Sequence, residues 1–199
     1  NDLLVGSNGD LWIATGGEGV QRRTQNESRP LGYLPDESGL RGETVYDLAQ
    51  SPSGQLWAAT NRGAAYFEQG QWRRDKALVS LADTAVRSIA ADDLGAWLGT
   101  SAGLARYNFG EDTLQWQALT EGSSINAVEY DSIDRLWVAG GDASLWLRTA
   151  DGKWRDMAVI QRDIPSSAPV TAFTRLSEPP GSILAAFRGH GVYRSDGLS

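Results

Sequence analysis

A tryptophan recurs at near-regular spacing along this 199-residue chain, and each time it sits in the same phrase. The copies read GDLWIATGGEGVQRR from Gly9, GQLWAATNRGAAYFE from Gly54, GAWLGTSAGLARYN from Gly95 and DRLWVAGGDASLWLRT from Asp134. A fifth, GSILAAFRGHGVYRSD from Gly181, keeps the shape but has Leu184 where the others have Trp12, Trp57, Trp97 and Trp137. The successive spacings are 45, 40, 40 and 47 residues. A period of roughly 40–50 residues built of short strands describes propeller blades or a similar array.

Each copy contains the parts of one such unit. LWIAT at 11–15 and LWAAT at 56–60 are short apolar runs of strand-forming residues, bounded by Gly, Asn, Asp or Ser. About ten residues upstream lies a second apolar segment: LLVG from Leu3, TVYDLA from Thr44, AVRSIA from Ala85, SINAVE from Ser124 and PVTAFT from Pro169. The Gly- or Asp-bearing turn between the two makes a hairpin. A third strand follows the next loop, at Gly19, Ala64, Gly103, Ser144 and Gly191. A fourth is marked by Trp72, Trp116 and Trp154, with Tyr33 or Leu34 as the candidate in the first copy.

The expected fold is therefore all-β: a β-propeller of about five four-stranded blades, or a segment of a larger one. The blades fall at about 1–41, 42–82, 83–122, 123–167 and 168–199 of a single domain. The last has no room for a fourth strand before Ser199. Ring closure by strands from the two termini is thus not visible, and closure by another route stays open. The repeated tryptophans are expected to pack between blades. Gly19, Gly103 and Gly191 are expected at positive φ.

Composition excludes several activities. A net charge of −7 argues against nucleic-acid binding, which needs a basic stripe. The pairs Arg22–Arg23 and Arg73–Arg74 read as solvated edge-strand charge. With no cysteine there is no thiolate metal site, and a Ser-His-Asp triad on the lone histidine, His190, would need a serine on an elbow, but no Gly-Xaa-Ser-Xaa-Gly sequence is present. Asp92–Asp93, and Asp131 with Asp134, sit at hairpin turns without calcium-loop spacing, and there is no phosphate-binding loop. No cofactor or metal is expected, and neither is an enzyme, since a propeller lyase or hydrolase would need an acid–base pair. No apolar run reaches the length of a membrane span.

A binding role fits better. Aligning the inner strands on Val45, Val86, Ile125 and Val170 places Tyr46, Arg87, Asn126 and Thr171 at one position that changes chemistry from copy to copy. The loop before the third strand varies likewise: Glu18, Asn61 with Arg62, Ser101, Asp142, and Arg188 with His190. The candidate ligand-binding residues are Glu18, Tyr46, Arg62, Arg87, Asn126, Asp142, Arg188 and His190, gathered at one end of the array. They suit a polar small molecule, a carbohydrate or a peptide. Solvated loop residues would vary in the same way. Arg87 is the leading candidate, since a guanidinium fork on an inner strand can hold a carboxylate or phosphate. The alternative is that Arg87 pairs with an acid such as Asp47 and seals the channel.

The phrase G-x-L-W-x-A-T followed by G-x-x-R-Y resembles the two-component regulator propeller repeat. GQLWAATNRGAAYF, GAWLGTSAGLARYN and SINAVEYD before DRLWVAG carry the likeness, which spans essentially the whole chain. The chain departs from it at Ala64–Ala65, at Asp142–Ala143–Ser144 and at the missing fifth tryptophan, and such proteins often carry more than five blades. The resemblance implies a periplasmic or other extracytoplasmic sensor domain of a membrane histidine kinase, hybrid regulator or diguanylate cyclase. It further implies a ligand that is often carbohydrate-derived, dimerisation or a protein partner within a receptor, and no catalytic residues. A scaffold propeller binding a protein on its rim is one alternative. A lectin-like propeller stacking sugars on Tyr46, Trp146 or Tyr193 is another.

Overall fold

The computed structural model describes residues 1–26, 29–34, 38–157 and 168–196. The ends of the expected fourth and fifth blades, 158–167 and 197–199, lie outside the described residues. Five antiparallel meanders follow one another along the chain. The first is β1 (Leu3–Val5), β2 (Leu11–Ala14), β3 (Val20–Arg23) and β4 (Leu31–Tyr33); the second is β5 (Val45–Gln50), β6 (Leu56–Thr60), β7 (Gly63–Glu68) and β8 (Gln71–Arg73). The third is β9 (Val86–Asp92), β10 (Gly95–Thr100), β11 (Gly103–Asn108) and β12 (Thr113–Trp116). The fourth is β13 (Ile125–Tyr130), β14 (Leu136–Gly140), β15 (Leu145–Arg148) and β16 (Trp154–Asp156). The fifth has three described strands, β17 (Val170–Arg175), β18 (Ile183–Phe187) and β19 (Gly191–Ser195). Among the described residues, helix is limited to α1 (Lys76–Val79) and one 3-10 turn at Ala118–Thr120.

This is the β-propeller architecture, with four blades of four strands and a fifth of three among the described residues. The expected fourth strand of the first blade is present and includes Tyr33 but not Leu34. Thr15, Thr60 and Thr100 each turn their hydroxyl onto the carbonyl of Gly19, Gly63 or Gly103, closing the turn into the third strand. That contact accounts for the repeated Thr-to-Gly pairing in the sequence. Gly19, Gly103 and Gly191 have φ of 69°, 135° and 88°, as expected.

The tryptophans do what a repeated large ring predicts. Trp12, Trp57, Trp97 and Trp137 are all buried, each in an apolar cluster between its own blade and the next. Trp12 meets Leu48 and Trp72, Trp57 meets Tyr107, Trp97 meets Val128, and Trp137 meets Val170 and Ile183. There are thus four apolar cores for four junctions, from blade 1–2 through blade 4–5. No equivalent cluster joins blade 5 to blade 1 among the described residues, and β17 does not pack along β1 as the other inner strands pack along their neighbours. The flanks there are uncovered: Leu3 and Val5 are 65% and 70% exposed on blade 1, and Val192 is 64% exposed on blade 5.

Ion pairs reinforce the junctions. The side chain of Asp131 is fully buried and accepts from Arg135 Nε at 2.7 Å and Trp137 Nε1 at 3.0 Å. Arg135 Nη2 then reaches the Gly181 and Asp196 carbonyls of blade 5. Asp92 repeats the device, accepting from Arg106 at 2.7 Å and from the Tyr130 hydroxyl of blade 4 at 2.7 Å. These aspartates do more than shape turns. The arginine pairs also differ from the expected solvated edges. Arg22 lies over the Trp12 ring and bonds Asp10, and Arg74 is half-buried. Flat cationic guanidinium groups cover aromatic faces well, which draws such residues inward.

Candidate functional site

The five inner strands surround a central cavity of about 540 Å³. Strand alternation turns every second inner-strand side chain toward the axis, and the wall is more polar than the inter-blade cores. Tyr46, Arg87 and Asn126 line it at one end, together with Thr171. Asp2, Asp47, Glu129 and Arg175 line it farther in.

Part of this polar wall holds the blades together. Asp2 of blade 1 accepts from the Leu48 N–H of blade 2 at 3.2 Å. One blade on, Asp47 accepts from the Ile89 N–H at 2.8 Å and the Ser88 hydroxyl at 2.9 Å. Ser88 in turn accepts from the Val128 N–H of blade 4 at 3.0 Å. Asp2, Asp47 and Ser88 occupy the same register position, where an irregularity in the inner strand frees the next blade's N–H from its own sheet. Blade 4 has Ala127 there and no such bond. Instead Asn126 Nδ2 reaches the Val170 carbonyl at 3.4 Å, as Asn1 Nδ2 reaches the Val45 carbonyl at 2.9 Å.

The carboxylates are strained electrostatically. Burial raises Asp47 to about 7, helped by the nearby Asp2 charge and opposed by the Ile89 and Ser88 bonds. Burial likewise raises Glu129 to about 7, with Arg175 opposing and Asp2 adding. Among the described residues no group of three His, Cys, Asp or Glu is placed to hold a metal ion.

The eight sequence candidates separate into two sets. Tyr46, Arg87 and Asn126 converge on the central cavity. Glu18, Arg62, Asp142, Arg188 and His190 sit in the strand 2–3 turns of their blades, at the same end but outside that cavity. Glu18 accepts from Gln21 Nε2 at 3.1 Å, and Asp142 caps its own turn through Ser144 and also accepts from Ser123 at 3.2 Å. The Ser144 bonds come first in holding the Asp142 carboxyl below its ordinary value. Arg188 and His190 are exposed. Arg87 is also exposed and makes no hydrogen bond or ion pair among the described residues. The alternative pairing of Arg87 with Asp47 is not formed; Asp47 accepts instead from Ser88 and Ile89 of the next blade.

Sequence reasoning missed Asp2, Glu129 and Arg175. The inner-strand alignment that picked out Arg87 also exposes Asp2, Asp47 and Ser88 one position further on. It gave no binding role to Trp116, which served only to mark a fourth strand. Trp116 is 49% exposed and lines a cleft of about 470 Å³ with Gln117 and Glu121.

No protein-family model matches the chain, and no curated protein matches it in sequence. Solved structures do match in fold. The extracellular domain of BT4673 from B. thetaiotaomicron, assigned to a hybrid two component system, superposes with a TM-score of 0.74 at 15% identity, covering 97% of this chain and 26% of that one. The extracellular domain of BT3049 from the same organism, assigned likewise, gives 0.71 at 18% identity, covering 97% and 27%. Virginiamycin B lyase from Staphylococcus aureus gives 0.64 at 14% identity, covering 97% and 68%. The chain therefore spans about a quarter of the length of the first two. At these identities the likeness is one of fold, and the fold is shared by extracellular domains assigned to two component systems and by a lyase alike. No described helix is long and apolar enough to cross a membrane.

Proposed function

We propose that this chain is the ligand-sensing propeller of a bacterial signalling protein, placed outside the cytoplasm and without catalysis of its own. The ligand is a polar small molecule or oligosaccharide that enters the central cavity at the end bearing Tyr46, Arg87 and Asn126. One observation carries this reading: an arginine with no internal partner stands at the mouth of a polar cavity of about 540 Å³. That volume suits a small ligand. The likeness to extracellular domains assigned to two component systems supports the setting.

The test is a thermal-shift and calorimetric screen of sugars, sugar acids and short peptides against the parent and Arg87→Ala. The expected result is a ligand-induced shift in the parent that Arg87→Ala loses while its own melting point stays unchanged. A shift retained in full by Arg87→Ala removes the cavity mouth from the site.

A lectin-like rim is the second reading, favoured by the exposed Trp116 beside Gln117 and Glu121. Sugar faces stack on exposed indoles, as apolar bodies with polar edges do. Of the aromatics first considered for this role, Trp146 packs against the blade 3–4 core instead. Under this reading Trp116→Ala abolishes sugar binding and Arg87→Ala leaves it intact.

A further inference from the structure

A second cavity, of about 490 Å³, lies on the rim between blades 2 and 3, away from the central channel. Its described lining brings three arginines together, Arg41, Arg62 and Arg74, against a single carboxylate, Asp83. In a chain of net charge −7 such a concentration of positive charge needs a cause. The backbone provides for it. Gly39 lies so close to β8 that a Cβ there would meet the Trp72 carbonyl oxygen at 2.1 Å. Gly42 lies equally close to the β6–β7 turn, where a Cβ would meet Asn61 Oδ1 at 2.3 Å. The two glycines press the blade 1–2 connection against both elements, and so place Arg41 next to Arg74 on one side and Arg62 on the other.

The guanidinium of Arg74 is incompletely satisfied. Its Nη2 donates to the Leu78 carbonyl at 3.4 Å, but its Nε is buried and has no partner. A buried charged donor left without an acceptor is costly, and native proteins keep few of them. Burial first, and the charge of Arg41 second, hold the Arg74 guanidinium below its ordinary value. Both effects disfavour the cation that the site nevertheless retains. The Arg62 side chain is exposed and makes no hydrogen bond or ion pair among the described residues, while its backbone N–H donates to the Thr60 hydroxyl at 3.0 Å.

We propose that this rim cavity is an oxyanion site, in which the cavity-lining guanidinium of Arg74 and the Arg62 fork grip a carboxylate, sulfate or phosphate group. The planar fork of guanidinium matches such groups two bonds at a time. An incoming oxyanion places negative charge beside Arg74 and offsets its repulsion from Arg41. The free anion and an anionic group carried on a sugar share this chemistry. The site is separate from the central cavity and stands whether or not a ligand binds there.

The experiment uses the intact chain at constant ionic strength, with chloride exchanged for sulfate, phosphate or glucuronate, and glucose as the uncharged control. Binding is read by melting temperature and calorimetry. The parent is expected to be stabilised by the oxyanions and not by chloride or glucose. Stabilisation by sulfate and phosphate alone identifies a free inorganic anion, and stabilisation by glucuronate as well identifies an anionic group on a sugar. Arg62→Ala, exposed and therefore safe for folding, weakens binding about tenfold, the factor for one lost charge-assisted hydrogen bond. Asp83→Asn removes the carboxylate of the described lining and tightens binding. Lys153→Ala, which removes an exposed cation of blade 4 that lines neither cavity, leaves oxyanion binding unchanged. An absence of oxyanion-specific stabilisation in the parent, or full retention of it in Arg62→Ala, overturns the proposal.

Discussion

The indole N–H of Trp97 donates to the hydroxyl of Tyr130 at 2.9 Å, so the repeated ring of blade 3 is tied to the inner strand of blade 4. The same hydroxyl donates onward to Asp92 at 2.7 Å. Arg106 and Arg148 lie over the Trp97 ring at 5.3 and 5.2 Å, and Trp154 meets it edge-on. Trp97→Ala removes all of this and is expected to cost about 3–5 kcal/mol in chemical denaturation, as for other buried aromatic truncations. Tyr130→Phe keeps the ring and removes only the hydroxyl, and should cost about 1–3 kcal/mol. An unchanged denaturation midpoint for Trp97→Ala contradicts the packing described.

Asp47→Ala leaves the Ile89 N–H and the Ser88 hydroxyl without their acceptor at the blade 2–3 junction. The expected loss is roughly 1–3 kcal/mol. Asp47→Asn keeps one oxygen acceptor in place and should recover much of it. Equal stability of the two variants would show that the carboxylate contributes through charge alone.

Ala127→Ser should install at the blade 4–5 junction the bond that Ser88 makes one blade earlier. The acceptor would face the Phe173 N–H, the counterpart of the Val128 N–H. A gain of about 0.5–1.5 kcal/mol is expected, the net value of one internal hydrogen bond. A loss in thermal melting would mean that the two junctions differ in register.

Glu129 sets a pH dependence. Its folded value, about 7, lies above its ordinary 4.5, so the folded state binds the proton more tightly than the unfolded chain does. Its contribution is therefore complete below about pH 4.5 and is lost as pH rises through about 7. Asp47 acts in the same direction over a window from 3.8 to about 7, while the Arg175 charge moderates Glu129. Glu129→Gln should melt like the parent at pH 4.5 and above it at pH 8. Parallel melting curves for the two proteins across that range would refute a desolvated Glu129.

The blades were legible in the sequence because one large residue fills one recurring gap, and a strand's two-residue period fixes which side it faces. Val45, Val86, Ile125 and Val170 aligned the inner strands for the same reason, and that alignment carried Tyr46, Arg87 and Asn126 to the cavity wall. The rest depended on contacts between blades, which a within-blade pattern does not encode. Asp47 bonds a residue 42 positions on, and Arg135 bonds the Asp196 carbonyl 61 positions on. Arg74 looked like an edge charge because nothing local announces that Gly39 and Gly42 fold another connection over it. Trp116 and Trp72 mark the same strand of their blades, yet Trp72 is buried and Trp116 is half exposed, a difference the repeat does not encode.

The uncovered flanks of blades 1 and 5 make this arc a linear stack, in which each inner blade is clasped twice and each end blade once. Nearest-neighbour arrays of that kind open from their ends inward. Amide exchange should then follow rank in the stack, with β10, buried along its whole length, among the last strands to take up deuterium. The inner strand of blade 5 should exchange before that of blade 1, since β17 lacks the kind of bond that Asp2 gives to Leu48, and the short side-chain bonds from blade 4 fall instead on Gly181 and Asp196. Whatever covers those flanks in a larger assembly would turn the stack into a ring, and the ordering by rank would disappear.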